Sequence, residues 1–323
     1  MTKKIIVLGG SGMLGSMVAD YLSRDPDLEV TATTRTEKLA AVCQARLGKI
    51  NWLLLDATAA DGGSCAKSIA GFDWVINAIG IIKPLIHDDN PQEIERALRV
   101  NALFPHTLAS AASATGSRVL QIATDCVYDG TKGHYVEPDT HDPLDVYGKT
   151  KSLGEVFAKE VHHLRCSIIG PEFKEPKSLL EWFLGQSEGA QVNGFVNHNW
   201  NGVTTLHFAK LCQGVIKEDL PLPRLQHVVP RGEVTKHEML GHFARCFRRE
   251  DLTVNPTAAA TVIDRTLATD DKRVNRELWV AAGYHNPPSV PEMIEELAQF
   301  DFRMKAGEAP ARAGAEVLAG DRS

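Results

Sequence analysis

The sequence lacks most features that would tie it to a membrane, a nucleic acid, a metal or an oxidising compartment. No long basic run occurs and the formal net charge is −6, which argues against nucleic acid as the main partner. No apolar stretch approaches the ~20 residues needed to span a bilayer, so no membrane partner is expected. The start, Met1-Thr2-Lys3-Lys4, runs directly into an apolar segment and does not read as a cleaved signal. Cysteine is sparse: Cys43, Cys65, Cys126, Cys166, Cys212 and Cys246 are scattered and form no C-x-x-C pair. They read as reduced thiols in a cytoplasmic protein. His87-Asp88-Asp89 and His162-His163 have no third ligand at suitable spacing. They read as solvated surface groups, and no metal site is expected. There is no internal repeat.

What is present is ordinary in amount and specific in arrangement. Hydrophobic residues make up 43% and charged residues 24% of 323 positions, as in soluble globular proteins. That length holds one large α/β domain, or a core domain with a smaller one. Ile5-Ile6-Val7-Leu8 reads as a buried strand. The turn Gly9-Gly10-Ser11-Gly12-Met13-Leu14-Gly15 follows it, and Ser16 to Leu22 reads as a helix. Strand, glycine turn and helix in that order are the context a dinucleotide-binding loop requires. In a G-x-x-G-x-x-G spacing, Gly9 allows the tight turn, Gly12 lets a pyrophosphate approach the backbone, and Gly15 lets helix and strand pack closely. The helix N-terminus supplies N–H donors to phosphate. Gly9, Ser11, Gly12, Met13, Leu14 and Gly15 are therefore candidate cofactor contacts.

Further strands are expected over Glu29 to Thr34, Ile50 to Leu55, Trp74 to Asn77, Arg118 to Ala123 and Cys166 to Ile169, with a long amphipathic helix over Pro91 to Ala114. Strands alternating with helices imply right-handed crossovers and a parallel sheet covered on both faces. Ligands then sit beyond the carboxyl ends of the strands. The glycine loop, Asp56, the loop holding Ala78 and Gly80, and Thr124 all fall at such ends. From about Gly170 the rhythm changes. Leu179 to Leu184 reads as a short helix, Asn193 to Thr205 as irregular, and helices are expected up to Phe300. The expected fold is a Rossmann-type, doubly wound α/β sheet with a smaller, mostly helical lobe. Residues 1–170 would form the dinucleotide-binding domain and 171–303 the substrate lobe, the two being open to interleaving. Residues 304–323 lack apolar periodicity and read as a disordered tail.

Tyr147-Gly148-Lys149-Thr150-Lys151 sets a tyrosine and a lysine four residues apart. If a helix covers Val146 to Lys159, the two share one face. An ammonium held there favours the phenolate and lowers the tyrosine pKa, which suits a general acid or base near neutral pH. Alone, this spacing is common. Here it accompanies a glycine loop and Thr124.

Together these motifs resemble the extended short-chain dehydrogenase/reductases. Ala123-Thr124-Asp125-Cys126-Val127-Tyr128-Asp129-Gly130 is similar to the S-T-D-x-V-F-D-G segment of dTDP-4-dehydrorhamnose reductases and other nucleotide-sugar 4-ketoreductases. Pro143 to Glu155 matches their P-x-x-x-Y-G-x-x-K-x-x-G-E segment. The resemblance covers roughly residues 3 to 170. Beyond it, Asn201-Gly202-Val203-Thr204-Thr205 stands where the family has G-x-P-T, and Asp264-Arg265-Thr266-Leu267 stands for a late substrate loop. The resemblance implies an NADPH-dependent reductase of a nucleotide-linked 4-keto-6-deoxy sugar. Tyr147 would donate a proton to the carbonyl oxygen, Lys151 would hold the nicotinamide ribose, and Thr124 would orient the same oxygen. Asn101 resembles the supporting helix asparagine, a plain helix-face polar group being the alternative. Trp200, Asn201 and Arg265 are candidate substrate contacts. Where nucleotide-sugar dehydratases carry T-D-E, this chain has Cys126. An epimerase, or a non-catalytic NADP-binding regulatory subunit, stays open as an alternative.

The end of the second strand carries Thr33, Thr34 and Arg35 rather than the carboxylate that bonds a ribose 2′-hydroxyl in NAD sites. An arginine there can pair a 2′-phosphate. NADPH is the cofactor expected, with NADH the alternative. The oligomeric state is left open, a homodimer among the options.

Overall fold

The computed structural model describes residues 2–174 and 177–304. The first half runs β1 (Lys3–Leu8), α1 (Met13–Leu22), β2 (Leu28–Thr34), α2 (Glu37–Arg46), β3 (Asn51–Leu54), α3 (Gly62–Ile69), β4 (Trp74–Asn77), α4 (Pro91–Ala97), α5 (Phe104–Thr115), β5 (Arg118–Ala123), α6 (Val146–Leu153) and β6 (Val161–Arg165). The second half runs β7 (Ile168–Ile169), α7 (Leu179–Leu184), β8 (Gln191–Phe195), β9 (His198–Trp200), β10 (Val203–Thr204), α8 (Thr205–Lys217) and β11 (Leu225–His227). It continues with β12 (Val234–Thr235), α9 (Lys236–Cys246), β13 (Thr253–Thr257), β14 (Ile263–Asp264), α10 (Lys272–Ala281) and α11 (Val290–Gln299).

A seven-stranded sheet, ordered β11-β6-β5-β4-β1-β2-β3, forms the centre. All its pairings are parallel. Ile5 and Val7 pack into the cluster that includes Met17 and Leu22 of α1 and Phe208 and Leu211 of α8. Ile6 and Leu8 face the other way, toward Ile69 of α3 and Phe104 and Leu108 of α5. Both faces are therefore covered, which is why β1 reads as an unbroken apolar run and not an alternating one. Strand order reverses between β1 and β4, and the crevice at their carboxyl ends is the ligand position of a doubly wound sheet.

Several expectations need correction. The sixth sheet strand is Val161–Arg165, and Ile168–Ile169 instead pairs with Val203–Thr204 in a separate two-stranded sheet. The Pro91-to-Ala114 helix is found, but Leu98–Leu103 forms a π-helical turn inside it. The helix after Asp145 stops at Leu153 and not near Lys159, because Gly154 is pressed against another backbone, as described below. The stretch thought irregular contains three short strands, Gln191–Phe195, His198–Trp200 and Val203–Thr204. The regular structure of the second half is still mostly helical, as expected, with these short strands added. It also interleaves with the first: β11 joins the main sheet beside β6, and α8 packs against α1.

Met304, the first residue of the expected tail, is fully buried; residues 305–323 of that tail lie outside the described residues. His163 is not a solvated group. It is 3% exposed, and its Nε2 lies 3.0 Å from both the N–H and the carbonyl oxygen of Val156. The six cysteines form no disulfide, and all but Cys246 are buried. No described helix is long and apolar enough to cross a membrane.

Candidate active site

The glycine loop has the backbone its spacing predicts. Gly9 adopts φ +79°, a left-handed conformation that favours glycine. A Cβ on Gly15 would lie 2.2 Å from the Gly9 carbonyl oxygen, so only glycine lets α1 start this close to β1. A Cβ on Gly12 would meet only that same oxygen, at 3.4 Å. The α1 N-terminus is therefore open to a phosphate at Gly12, and the residues present fit a dinucleotide. Two bonds stitch the loop to β2: Gly9 N–H donates to Thr33 Oγ1 (3.0 Å) and Gly10 N–H to the Thr33 carbonyl (2.9 Å). Leu14 and Ser11 are buried, and Met13 is half-buried at the start of α1. The Lys174 ammonium, from the second half of the chain, donates to Ser11 Oγ at 2.8 Å.

The reacting groups sit at the carboxyl end of β5. Thr124 caps a single 3₁₀ turn, Asp125–Val127, its Oγ1 accepting from Cys126 N–H at 3.2 Å. Asp145 caps α6, accepting from Gly148 N–H at 2.7 Å. Gly148 then fixes how α6 docks. A Cβ there would fall 2.3 Å from the Cys126 carbonyl oxygen and 2.5 Å from Pro143 Cβ. The helix lies directly on the 3₁₀ turn, and the Tyr147 phenol hydrogen-bonds the Thr124 side chain. With β4 between β5 and β1, this pair stands two strand spacings, roughly 10 Å, from the glycine loop. That is the span from a dinucleotide's phosphates toward its reactive ring.

The electrostatics differ from the expectation. Burial pushes the Tyr147 phenol up, and the nearby Cys126, Asp125 and Asp145 push it the same way; the hydrogen bond from Thr124 is the opposing influence. The Lys151 ammonium donates to the Ile122 carbonyl at 3.2 Å and does not count among the main influences on the phenol. Lys151 is itself 9% exposed, and burial lowers its pKa against the pull of Glu155 and Cys126. The tyrosine and lysine share a helix face, but the net shift of the phenol in this structure is upward, with burial the largest cause.

Around the pair lies a charged floor that sequence reasoning missed. Asp125 is 4% exposed, and its pKa is raised by burial, against Arg265 and Lys236. Lys236, the first residue of α9, is pushed down to about 8, mainly by burial, while Asp125 and Cys126 hold it up. Thr235-Lys236-His237-Glu238 forms a capping box, a pattern visible in sequence. It places the start of α9 but says nothing of what Lys236 faces. Gly148 and Lys174 were also missed.

The other expected residues divide into three groups. Asn101, on the π turn, is 2% exposed. Its Oδ1 accepts from Ile81 N–H (2.8 Å), while its Nδ2 donates to the Ile81 carbonyl (3.0 Å) and to Thr150 Oγ1 (3.2 Å). It ties the loop after β4 to α6. In that loop Ala78 and Ile79 pack on Gly9, and Gly80 lies beside the Asn101 amide, where a Cβ would make an ordinary contact at 3.6 Å. Asp56 and Arg35 stand at the ends of their strands, where Thr58 N–H and Oγ1 donate to Asp56 and, with a smaller pull from Arg35, lower its pKa. Of the three substrate candidates, Arg265 reaches the site, its Nε donating to the Tyr128 carbonyl at 2.8 Å. Trp200 does not present a stacking face. It is 4% exposed, with its indole N–H donating to Ser167 Oγ at 2.7 Å. Asn201 clamps Leu267 through both backbone groups, at 2.7 and 2.9 Å, beside a cavity of about 300 Å³ that His134, Thr269 and Asn275 also line. Among the described residues, no group of three or more His, Cys, Asp or Glu is placed to hold a metal ion.

Comparison with known proteins places this geometry. The dTDP-4-dehydrorhamnose reductase of Mycolicibacterium smegmatis is 28% identical over 157 residues, covering 48% of this chain and 41% of that protein. Methionine adenosyltransferase 2 subunit beta of Rattus norvegicus is 25% identical over 207 residues, covering 55% and 61%. The chain thus matches about half the length of these curated relatives. The solved dTDP-4-dehydrorhamnose reductase of Bacillus anthracis, in complex with NADP, superposes with a TM-score of 0.70 at 19% identity, covering 92% of this chain and 99% of that one. It shares the fold. The profile described as RmlD substrate binding domain aligns with residues 3–299, from β1 through the last residue of α11, and on that span the chain belongs to the RmlD substrate binding domain family.

Proposed function

We propose that this protein is an NADPH-dependent reductase that converts a nucleotide-linked 4-keto-6-deoxy sugar to the 4-hydroxy sugar. The carrying observation is the seating of Tyr147 against Thr124 at the end of β5, opposite the glycine loop at the end of β1. NADPH, when bound, supplies a hydride to the carbonyl carbon. Tyr147 delivers its hydroxyl proton to the carbonyl oxygen, and Thr124 holds that oxygen in line. Burial keeps the phenol protonated but makes it a weaker acid, and the hydrogen bond from Thr124 works in the opposite, acidifying direction. Lys151 grips the nicotinamide ribose from one turn further along α6. Arg265 and Lys236 give the floor positive charge that favours an anionic nucleotide sugar.

Residues 1–170 carry the cofactor contacts and 171–303 contribute the substrate side. Leu103 (59% exposed), Leu153 (61%) and Phe157 (82%) form exposed apolar surface beside α6, which supports a homodimer. Scattered cysteines without a disulfide fit a reducing cytoplasm. The named subunit among the relatives raises a second reading, a regulatory NADP-binding subunit; the complete Thr124, Tyr147 and Lys151 set favours the enzyme.

A panel of nucleotide-linked 4-keto sugars, assayed by loss of NADPH absorbance, tests the reading. Tyr147→Phe should cut turnover by roughly 10²–10⁴ while NADPH binding stays intact. Full activity of Tyr147→Phe overturns the assignment. Conversion of a keto-free nucleotide hexose without net NADPH oxidation points to an epimerase instead.

A further inference from the structure

We propose that Lys174 binds the 2′-phosphate of an NADP-type cofactor, reaching across from the second half of the chain to complete a two-cation grip with Arg35. The inference rests on the dinucleotide reading above and adds a residue that neither the glycine motif nor the tyrosine motif contains. Three observations converge. The Lys174 ammonium touches Ser11 Oγ at 2.8 Å, and Ser11 is a buried residue of the glycine loop. Arg35 lies near enough to act on the Lys174 charge, alongside Cys43. The segment is pinned on either side of the lysine. Phe173 is 8% exposed with the Arg46 guanidinium of α2 5.2 Å from its ring, and Glu172 accepts from Ser178 N–H at 2.6 Å.

The position within the loop selects the phosphate. Gly10 leans on β2 and β3, where a Cβ would come within 2.8 Å of Ala32 and Trp52. Gly9 and Gly10 are bonded to Thr33. The stretch of loop that leads into Ser11 is therefore held against β2. The end of β2 is where a ribose 2′-substituent sits in this sheet type. Two cations converging there disfavour one another and favour a dianion between them. A 2′-hydroxyl offers no such charge.

Lys174→Met keeps the aliphatic stem and removes the charge. Isothermal titration with NADPH, NADH, 2′,5′-ADP and 5′-AMP should show Kd rising about tenfold or more for NADPH and 2′,5′-ADP, with less than twofold change for NADH and 5′-AMP. The unchanged ligands verify that the variant is folded. Equal weakening of NADPH and NADH places the lysine on a shared part of the cofactor and overturns the proposal, as does no change for any ligand. Wild-type protein that binds NADH as tightly as NADPH removes the NADPH reading and this inference together. Wild-type preference for NADPH that survives Lys174→Met removes only the inference.

Discussion

Gly148 holds more of the site's geometry than its size suggests. It stands between Tyr147 and Lys151 in sequence, yet its role is to let α6 lie on the Thr124–Cys126 turn. Gly148→Ala would force a methyl to within 2.3 Å of the Cys126 carbonyl oxygen, so helix and turn must part. Overpacking of this kind costs about 1–3 kcal/mol, and displacing a reacting group by ~1 Å can cost about a hundredfold in rate. Turnover should fall by that order while cofactor affinity holds. Gly62→Ala, in α3 with nothing within 4 Å of the new methyl, is the matched control. At this first helical position it should shift stability by no more than about 0.5 kcal/mol in urea unfolding and leave turnover unchanged. The Tyr147–Lys151 spacing was legible because a helix repeat alone fixes it. The acidity of the phenol was not, because it depends on what else buries the side chain and on which groups from the turn after β5 lie beside it. Trp200 failed for the same reason: nothing local to it reveals that Ser167 lies against its indole N–H.

At the scale of elements, the π turn Leu98–Leu103 is the part that sequence periodicity could not supply. Apolar spacing located the helix from Pro91, but the extra residue in the turn answers to a neighbour distant in sequence. A Cβ on Gly154 would lie 2.0 Å from the Asn101 carbonyl oxygen, so the end of α6 presses on the turn. π turns inside α-helices recur at functional sites, and this one aims Asn101 at the loop after β4. Asn101→Ala strips partners from both Ile81 backbone groups. An unmet buried polar group costs about 1–3 kcal/mol, so stability should drop by roughly 2 kcal/mol or more. Amide exchange at Ile81 should quicken beyond the global change; protection there equal to wild type would refute the tether. The short strands of the second half escaped notice because runs of two to five residues carry too little alternation, and their partners lie far off, as when β8 pairs with β13.

Across the whole molecule, the two halves share a buried charged knot that ties β6 and β11 to the loop after β5. Arg165, fully buried, donates to Glu155, to the Tyr128 hydroxyl and to His141 Nε2 (2.7 Å), and lies 2.8 Å from His227 Nε2. Glu137 accepts from His227 N–H at 2.8 Å, and His227 Nδ1 faces the carbonyls of Tyr135 and Ala268. Sequence placed the boundary near residue 170 from a change of rhythm, but this knot crosses it, so the halves should unfold together. Burial and then the Arg165 charge push His227 down to about 4, and burial lowers His163 and His207 as well. In the unfolded chain a histidine takes up its proton near pH 6.5. Between pH 6.5 and about 4 the unfolded state therefore binds protons that the folded state refuses, and stability must fall as pH falls. Glu137, whose pKa is lowered in the fold, adds to the loss below its unfolded value. His227 alone should account for about 3 kcal/mol of that decline. Urea unfolding at pH 7.5, 6 and 4.5 should show one cooperative transition with a steadily decreasing midpoint. His227→Gln should start lower at pH 7.5 yet decline less steeply. Equal midpoints at pH 7.5 and 4.5, or two separate transitions, would show that the knot neither excludes protons nor joins the halves.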